Sequence, residues 1–216
     1  SAIAVPLAVV LSLLLAIVLE SKLPFRSQFR TFFLSPMMVP VASIVLIWQV
    51  LFHYNGAVND LLGVFGVEKI DWLKSSYSII VIVILFLWKN LGYNMILFMA
   101  ALQSIPTDIL EAARIDGAST GQIFKYIQIP AIMLMVDFVL FDNIRGALQV
   151  FDIPFVMTAG GPGYASSTFT LYTIKTAFTF SNFGLAATMA VAIMLMIVII
   201  YVIQNKIIHG LVLRDK

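Results

Sequence analysis

Five long apolar stretches follow one another along the chain, and short polar segments separate them. They cover residues 1–19, 32–52, 78–102, 130–150 and 185–203. At a rise of 1.5 Å per residue, about 20 apolar residues are needed to cross the hydrocarbon core of a bilayer. The pattern therefore predicts an all-α membrane protein, a polytopic helical bundle of about five spans.

The composition supports this class and excludes others. Of the 216 residues, 61% are apolar and 11% are charged, whereas about a quarter are charged in a soluble domain. Cysteine is absent, which excludes a disulfide scaffold and a thiolate metal site. The net charge of +2 is too small to indicate a nucleic-acid partner.

The basic residues outside the stretches are distributed unevenly. On one side of the predicted membrane lie eight: Lys22, Arg26, Arg30, Arg114, Lys125, Lys206, Arg214 and Lys216. On the other side lie Lys69, Lys74 and Lys175. Because lysine and arginine in short loops resist translocation, the first group predicts the cytoplasmic side, with the C-terminus inside and residue 1 outside. Such a start needs either a preceding span or an unusual N-terminus, and we expect that one span is missing before residue 1.

The segment 103–129, which we call the elbow, is predicted to form two short helices rather than a flexible connector. Asp108 followed by Glu111 matches a capping box, and Gly117 is placed to end the first helix. Ser119 followed by Gln122 repeats the capping pattern. The elbow is predicted to be either a docking surface or a capped hairpin that only joins two spans.

The second predicted helix of the elbow covers residues 120–128. It places Ile123, Phe124 and Ile127 on one side. It is expected to stop before Pro130, because a residue that precedes proline is pushed out of the helical region.

Three strings carry a resemblance to a known family. EAARIDGASTGQIFKYIQIP, from Glu111 to Pro130, resembles the EAA loop of permease subunits in binding-protein-dependent ABC importers. WKNLGYNMILFMAALQSIP, which ends at Pro106, and VFDIPFVMTAGGPG, which ends at Gly163, resemble the maltose-type carbohydrate permeases. The chain departs from many relatives at Leu134, where they have a second proline.

The resemblance implies a fold and an assembly. Residues 1–216 would form a single transmembrane domain of the type I ABC importer permease core, with a coupling loop at about 103–130. The partners would be a second homologous permease subunit, two ATP-binding subunits, an extracellular sugar-binding protein and the lipid bilayer. No cofactor would bind this chain, since ATP and Mg would sit on the partner subunits.

The resemblance also assigns the elbow its role as the contact with the ATPase subunit. Small residues allow close approach, acidic residues accept charge-assisted hydrogen bonds and Phe124 supplies an apolar anchor. The residues assigned to coupling are Glu111, Ala112, Ala113, Asp116, Gly117, Ala118 and Phe124.

No phosphate-binding G-x-x-x-x-G-K-[ST] loop occurs in the chain, so we do not expect this chain to be an enzyme. Gly160, Gly161 and Gly163 flank Pro162 without a following lysine and predict a tight turn. In the region after this turn, Tyr172 and Phe178 are candidates for contact with the binding protein or for interfacial anchoring.

Four charged residues lie within the predicted spans, and their charges sum to zero. We predict a buried charge cluster of Lys89, Asp137, Asp142 and Arg145. Two pairings are open: Lys89 with Asp142 across two spans, or Asp142 with Arg145 three residues along one helix.

Uncharged polar residues in the third and fourth spans suggest a route for a sugar, whose hydroxyl groups amides bind well. The candidates for this pathway are Asn90, Tyr93, Asn94, Asn143, Ala147 and Val150. The alternative is that these amides bond one helix to another.

The sequence as a whole predicts a multi-pass permease subunit in the cytoplasmic membrane, importing a sugar or oligosaccharide of unspecified identity. Alternatives are import of an amino acid, polyamine or phosphate-like solute, ion-coupled secondary transport, and intramembrane hydrolysis by Asp137 and Asp142. No metal site is predicted, because His53 and His209 each stand alone.

Overall fold

The computed structural model describes residues 2–20 and 25–212. Within these ranges the chain is helical, without β-strands. Ser1, Lys22, Arg214 and Lys216, which contributed to the topology prediction, lie outside the described residues, as does the side chain of His209. The helices are α1 (Ala4–Glu20), α2 (Arg26–Met38), α3 (Val41–Leu51), α4 (Ala57–Val64), α5 (Ser78–Gln103), α6 (Thr107–Ile115), α7 (Thr120–Ile123), α8 (Ile129–Ala131), α9 (Met133–Gln149), α10 (Asp152–Thr158), α11 (Phe169–Phe178) and α12 (Phe183–Val212).

Helix α5 is the centre of the bundle. α1 packs along it, α2 and α9 also contact it, and α12 packs against α9 and α11. Phe98 and Met95 of α5 are fully buried among apolar residues of α1 and α9, including Val139. At Gly92, α5 approaches α2 so closely that a Cβ atom would overlap the backbone carbonyl of Phe33.

The candidate membrane spans agree in part with the five apolar stretches. By length and composition, α5 and α12 are the two described helices able to cross a bilayer alone. Two bent helix pairs raise the number to four if each pair is one span. α1 is a shorter apolar helix of 17 residues.

The second stretch is not the single helix that the sequence predicts. The chain bends by 100° between α2 and α3, where Val39 and Pro40 have extended backbone with ψ of 135° and 133°. Proline pushes the preceding residue out of the helical region, which explains the break. α2 begins at Arg26, so the structure places Arg26 and Arg30 within a helix rather than in a loop.

The fourth stretch also differs from its prediction. The helix does not stop before Pro130, because a π-helical turn over Phe124–Gln128 joins α7 to α8. The N–H of Ile129 donates to the carbonyl of Phe124, five residues back. This change of register falls where Pro130 lacks an N–H, so the helix continues as far as Ala131. The break comes at Ile132, and α7–α8 and α9–α10 meet at a bend of 66°.

Candidate functional site

The elbow forms a helix, a turn and a second helix, as predicted. α6 ends in a Schellman motif, in which the N–H of Ala118 donates to Ala113 O at 3.0 Å and that of Gly117 to Arg114 O at 3.1 Å. Gly117 has φ of 82°, a conformation that residues with a Cβ atom adopt only at a cost. Gly117 therefore sets the angle at which the chain leaves α6.

One of the two predicted capping boxes is present. Ser119 N donates to Gln122 Oε1 at 2.8 Å, and Gln122 N donates to Ser119 Oγ at 3.4 Å. The box predicted for Asp108 and Glu111 is wrong, because Pro106 occupies the N-cap and no side chain caps α6. Asp108 instead lies in the first turn, where its charge favours the helix dipole.

The surface of the elbow is open along α6, which has no buried residue. Glu111, Ala112, Asp116 and Gly117 are exposed, whereas Ala113, Ala118 and Phe124 are half-buried. The turn and α7 border a groove of about 350 Å³. Its lining residues are Asp116, Gly117, Ala118, Gln122, Ile123, Tyr126 and Ile127.

Tyr126 is an exposed aromatic residue of the elbow that the sequence analysis missed. It is 66% exposed and lines the groove, whereas Phe124, the predicted anchor, is half-buried. Both residues lie in the π-helical turn, which rotates side chains away from the 3.6-residue period used for prediction. A hydrophobic pattern alone gives no signal for that rotation.

Two of the predicted pathway residues bond one helix to another. Asn94 of α5 and Asn143 of α9 are 1% and 2% exposed. Their amides exchange reciprocal hydrogen bonds of 3.1 and 3.0 Å, and Asn143 also donates to Val139 O at 2.8 Å. This is the helix–helix alternative, and it leaves neither side chain facing a cavity within this chain.

The remaining pathway candidates do not enclose a sugar-sized space. Asn90 donates to Phe86 O at 2.8 Å along its own helix, and Tyr93 is half-buried. Ala147 and Val150 border a cavity of about 100 Å³, below the range of about 300–1,000 Å³ that is usual for small-molecule sites. The described part of this chain alone therefore does not enclose a passage at these residues.

The four charged residues of the spans do not form the predicted buried cluster. Arg145 Nη2 lies 2.7 Å from Asp142 Oδ1, which is the local pairing, and their side chains are 48% and 28% exposed. Lys89 lies 3.5 Å from Asp152 rather than pairing with Asp142. Asp137 Oδ1 accepts from Gln204 Nε2 at 2.5 Å.

The sequence did not predict Asp152 as the partner of Lys89 or Gln204 as the partner of Asp137, for different reasons. Asp152 is the only acidic residue in VFDIPFVMTAGGPG, so a search for counter-charges just beyond the span would have found it. Gln204 comes 67 residues after Asp137, and only tertiary packing brings the two together.

The glycine-rich segment forms a tight turn, as predicted. Gly160 has φ of 86°, and Ser166 Oγ donates to Gly161 O at 2.7 Å. Lys175 donates to the carbonyl of Ala159. Tyr172 and Phe178 of α11 are 39% and 76% exposed.

No group of three or more His, Cys, Asp and Glu side chains in the described ranges could hold a metal ion.

Gln49 of α3 donates to Val156 O at 2.9 Å and Met157 O at 3.0 Å. These bonds satisfy carbonyls in the last turn of α10.

Comparisons with known proteins converge on one family. Residues 8–211 match the model described as "Binding-protein-dependent transport system inner membrane component". The trehalose/maltose transport system permease protein of Thermococcus litoralis is 37% identical over 153 residues, which cover 70% of this chain and 50% of that protein. The sulfoquinovosyl glycerol transport system permease protein of Agrobacterium fabrum is 34% identical over 160 residues, covering 73% and 52%.

The lactose transport system permease protein of Rhizobium radiobacter is 34% identical over 175 residues, covering 78% of this chain and 59% of that protein. The matched regions thus span about half to three fifths of these relatives. Among solved structures, a bacterial ABC transporter that imports alginate has a TM-score of 0.85 at 18% identity. The match covers 96% of this chain and 76% of that chain, and it supports the fold.

Proposed function

The chain belongs to the family of inner membrane components of binding-protein-dependent transport systems, and on this premise we propose that it is a permease subunit of an ATP-driven ABC importer for a sugar or oligosaccharide. Relatives named as permease proteins for trehalose/maltose, lactose and arabinooligosaccharides support the substrate class. The partners in this proposal are a second permease subunit, two ATP-binding subunits and an extracellular sugar-binding protein.

The elbow is the observation that carries the proposal. A linker between two spans has no need of an exposed helix, a Schellman turn and a capping box in succession, since each of these fixes its shape. An ordered surface with Glu111 and Asp116 exposed on it is suited to a partner that supplies cationic or N–H donors. In the proposal this partner is the ATP-binding subunit, which holds ATP and Mg and performs the hydrolysis.

The mechanism follows from rigid connections on both sides of the elbow. α5 runs without a break to Gln103, four residues before α6 begins, and α8 leads into α9 through the bend at Ile132. A displacement of the elbow would therefore move α5 and α9, which the Asn94–Asn143 amide pair links. Closure of the ATPase subunits would open the passage towards the binding protein, and hydrolysis would reset it.

The pairing of the charges supports this proposal over ion-coupled transport. A proton relay needs neighbouring titratable groups, whereas the four predicted residues take part in three separate contacts in the described structure. The same separation argues against hydrolysis by Asp137 and Asp142.

The test is ATPase activity and sugar uptake in the reconstituted complex carrying Glu111→Ala. We expect both activities to fall about ten-fold or more, because the variant removes one charge-assisted contact with the ATPase subunit. Glu68→Ala is the matched control, since Glu68 is also an exposed glutamate but lies in the loop before α5. Equal activity of the two variants, with the ATP-binding subunit still co-purifying, would reduce the elbow to a connector.

A further inference from the structure

Two arginines at the start of α2 contact the residue that ends α5. Arg26 and Arg30 are four residues apart, so their side chains lie on one face of the helix. With its amide oxygen turned towards them, Gln103 accepts hydrogen bonds from Arg26 Nη2 at 3.0 Å and from Arg30 Nη2 at 3.2 Å. Gln103 is the last residue of α5 and the first of the elbow. The two arginines therefore hold the chain at the point where the elbow begins.

A third charged residue, Glu20, lies near this pair at the end of α1. The charges of both arginines act on its carboxylate. Within the described part of the chain, Glu20 Oε2 is buried and accepts no hydrogen bond, and the Nε atoms of Arg26 and Arg30 are buried and donate none. We call these four side chains the foot cluster: Glu20, Arg26, Arg30 and Gln103.

The unpaired atoms of the foot cluster are complementary. A buried donor or acceptor without a partner is costly, and each such atom in a native structure needs an explanation. A carboxylate oxygen accepts from a guanidinium N–H in a charge-assisted bond, which is the stronger kind. Glu20 is therefore a second acceptor that Arg26 and Arg30 do not use in the observed conformation.

Higher in the bundle, α2 and α5 are held together by backbone packing. A Cβ atom at Gly92 would lie 1.9 Å from the carbonyl oxygen of Phe33. From residue 92 to residue 103, α5 extends by about 16 Å. α1 packs along the same helix. The contacts of the foot cluster, in contrast, are made by long side chains, so a movement of the elbow relative to α2 is easiest there.

We propose that Arg26 and Arg30 are positioning residues for the elbow, an inference that rests on the proposed function. In the observed conformation they hold Gln103, and so set where α6 is presented to the ATPase subunit. When the elbow moves with that subunit, the arginines exchange Gln103 for Glu20. The relative strength of the two acceptors then sets the balance between the two conformations of the elbow.

The first test changes the strength of each acceptor. Gln103→Leu removes one acceptor, Gln103→Glu strengthens it, and Glu20→Gln weakens the other. The measurement is the ratio of ATPase activities of the reconstituted complex with and without the binding protein. We expect Gln103→Leu to shift this ratio about three-fold in one direction, and the other two variants to shift it in the opposite direction.

The opposed signs distinguish positioning from a merely structural contact, whose loss would act in the same direction in every variant. Gln28→Leu is the matched control, since Gln28 is exposed on α2 and lies about 200° around the helix from Arg26. Its ratio is expected to equal that of the native complex. Shifts of the same sign for Gln103→Leu and Glu20→Gln would overturn the inference. If Gln103→Leu does not assemble, Gln103→Glu and Glu20→Gln decide, and opposite shifts of these two would overturn it.

The second test measures the movement itself. The chain has no cysteine, so Gln28→Cys and Ser104→Cys, both at exposed positions, can carry two spin labels in a complex whose partner subunits lack reactive thiols. We expect the distance between the labels to differ between the nucleotide-free complex and the complex trapped with ATP and vanadate. Gln103→Glu is expected to reduce the fraction at the trapped-state distance about two-fold. One distance in both states would mean that the arginines keep Gln103 throughout the cycle, which would overturn the exchange.

The outcomes separate this inference from the proposed function. If the native complex imports sugar with ATP but all acceptor variants shift the ATPase ratio in the same direction, the inference fails alone. If the native complex takes up no sugar, the proposed function fails, and the label distances still report whether the start of α2 and the end of α5 move apart.

Discussion

Gly117 shows how one backbone conformation directs the whole elbow. Its φ of 82° closes the turn after α6, and a Cβ atom there would meet nothing within 4 Å. A substitution at this position is therefore a test of conformation without a steric clash.

We predict that Gly117→Ala lowers coupled ATPase activity and uptake. Alanine in the left-handed region costs about 1–2 kcal/mol, so the turn would relax and reorient α6 relative to α7. Gly121→Ala is the control in the same elbow, because Gly121 lies in α7 without a positive φ and also has open space. Matching activities of the two variants, with equal amounts in the membrane, would contradict a role for the turn angle.

At the scale of elements, the close approach of α5 and α2 at Gly92 leaves no room for a side chain. Any side chain there meets backbone, which cannot rotate away. Small residues commonly allow such approaches between membrane helices.

We predict that Gly92→Ala destabilises the folded chain by about 1–3 kcal/mol, the usual cost of overpacking. The measurement is thermal unfolding in detergent followed by tryptophan fluorescence. Gly184→Ala in α12 is the control, since nothing lies within 4 Å of a Cβ atom there. If both variants unfold at the same temperature, the α5–α2 contact contributes little to stability.

At the scale of the whole molecule, the distribution of basic residues predicts which side of the membrane each loop occupies. Of the residues that the structure describes, Lys206 and Lys69 are exposed on opposite predicted sides. The elbow shares the side of Lys206 in this prediction, as it must if it contacts ATP-binding subunits in the cytoplasm.

We predict the outcome of labelling in cells whose outer layers have been removed and whose cytoplasmic membrane is intact. An impermeant thiol reagent is expected to modify the Lys69→Cys variant and not the Lys206→Cys variant. Positive residues in short loops are retained inside, so Lys206 is expected to react only after the membrane is permeabilised. The reverse pattern would invert the topology and place the elbow outside, which would remove the proposed contact with ATPase subunits.

Much of the fold was predictable because the length and apolarity of membrane helices can be recognised in the sequence. α5 matches its predicted stretch at both ends, whereas α12 begins near the predicted start and continues nine residues further, to Val212. The elbow was found from Gly117 and the Ser119–Gln122 box. The sequence predicts one helix over residues 32–52, whereas the structure bends by 100° at Pro40, since a proline does not by itself specify an angle. The π-helical turn before Pro130 carried no signal in the hydrophobic pattern.

The sequence by itself determined what depends on local chemistry: the helical class and the ordered elbow. Only the tertiary structure decided between the two pairings that were open for Asp142 and which polar groups meet across the bundle. It paired Asn94 with Asn143 and Lys89 with Asp152, separated by 49 and 63 residues. Such contacts depend on helix rotation and crossing, which one residue's identity does not specify.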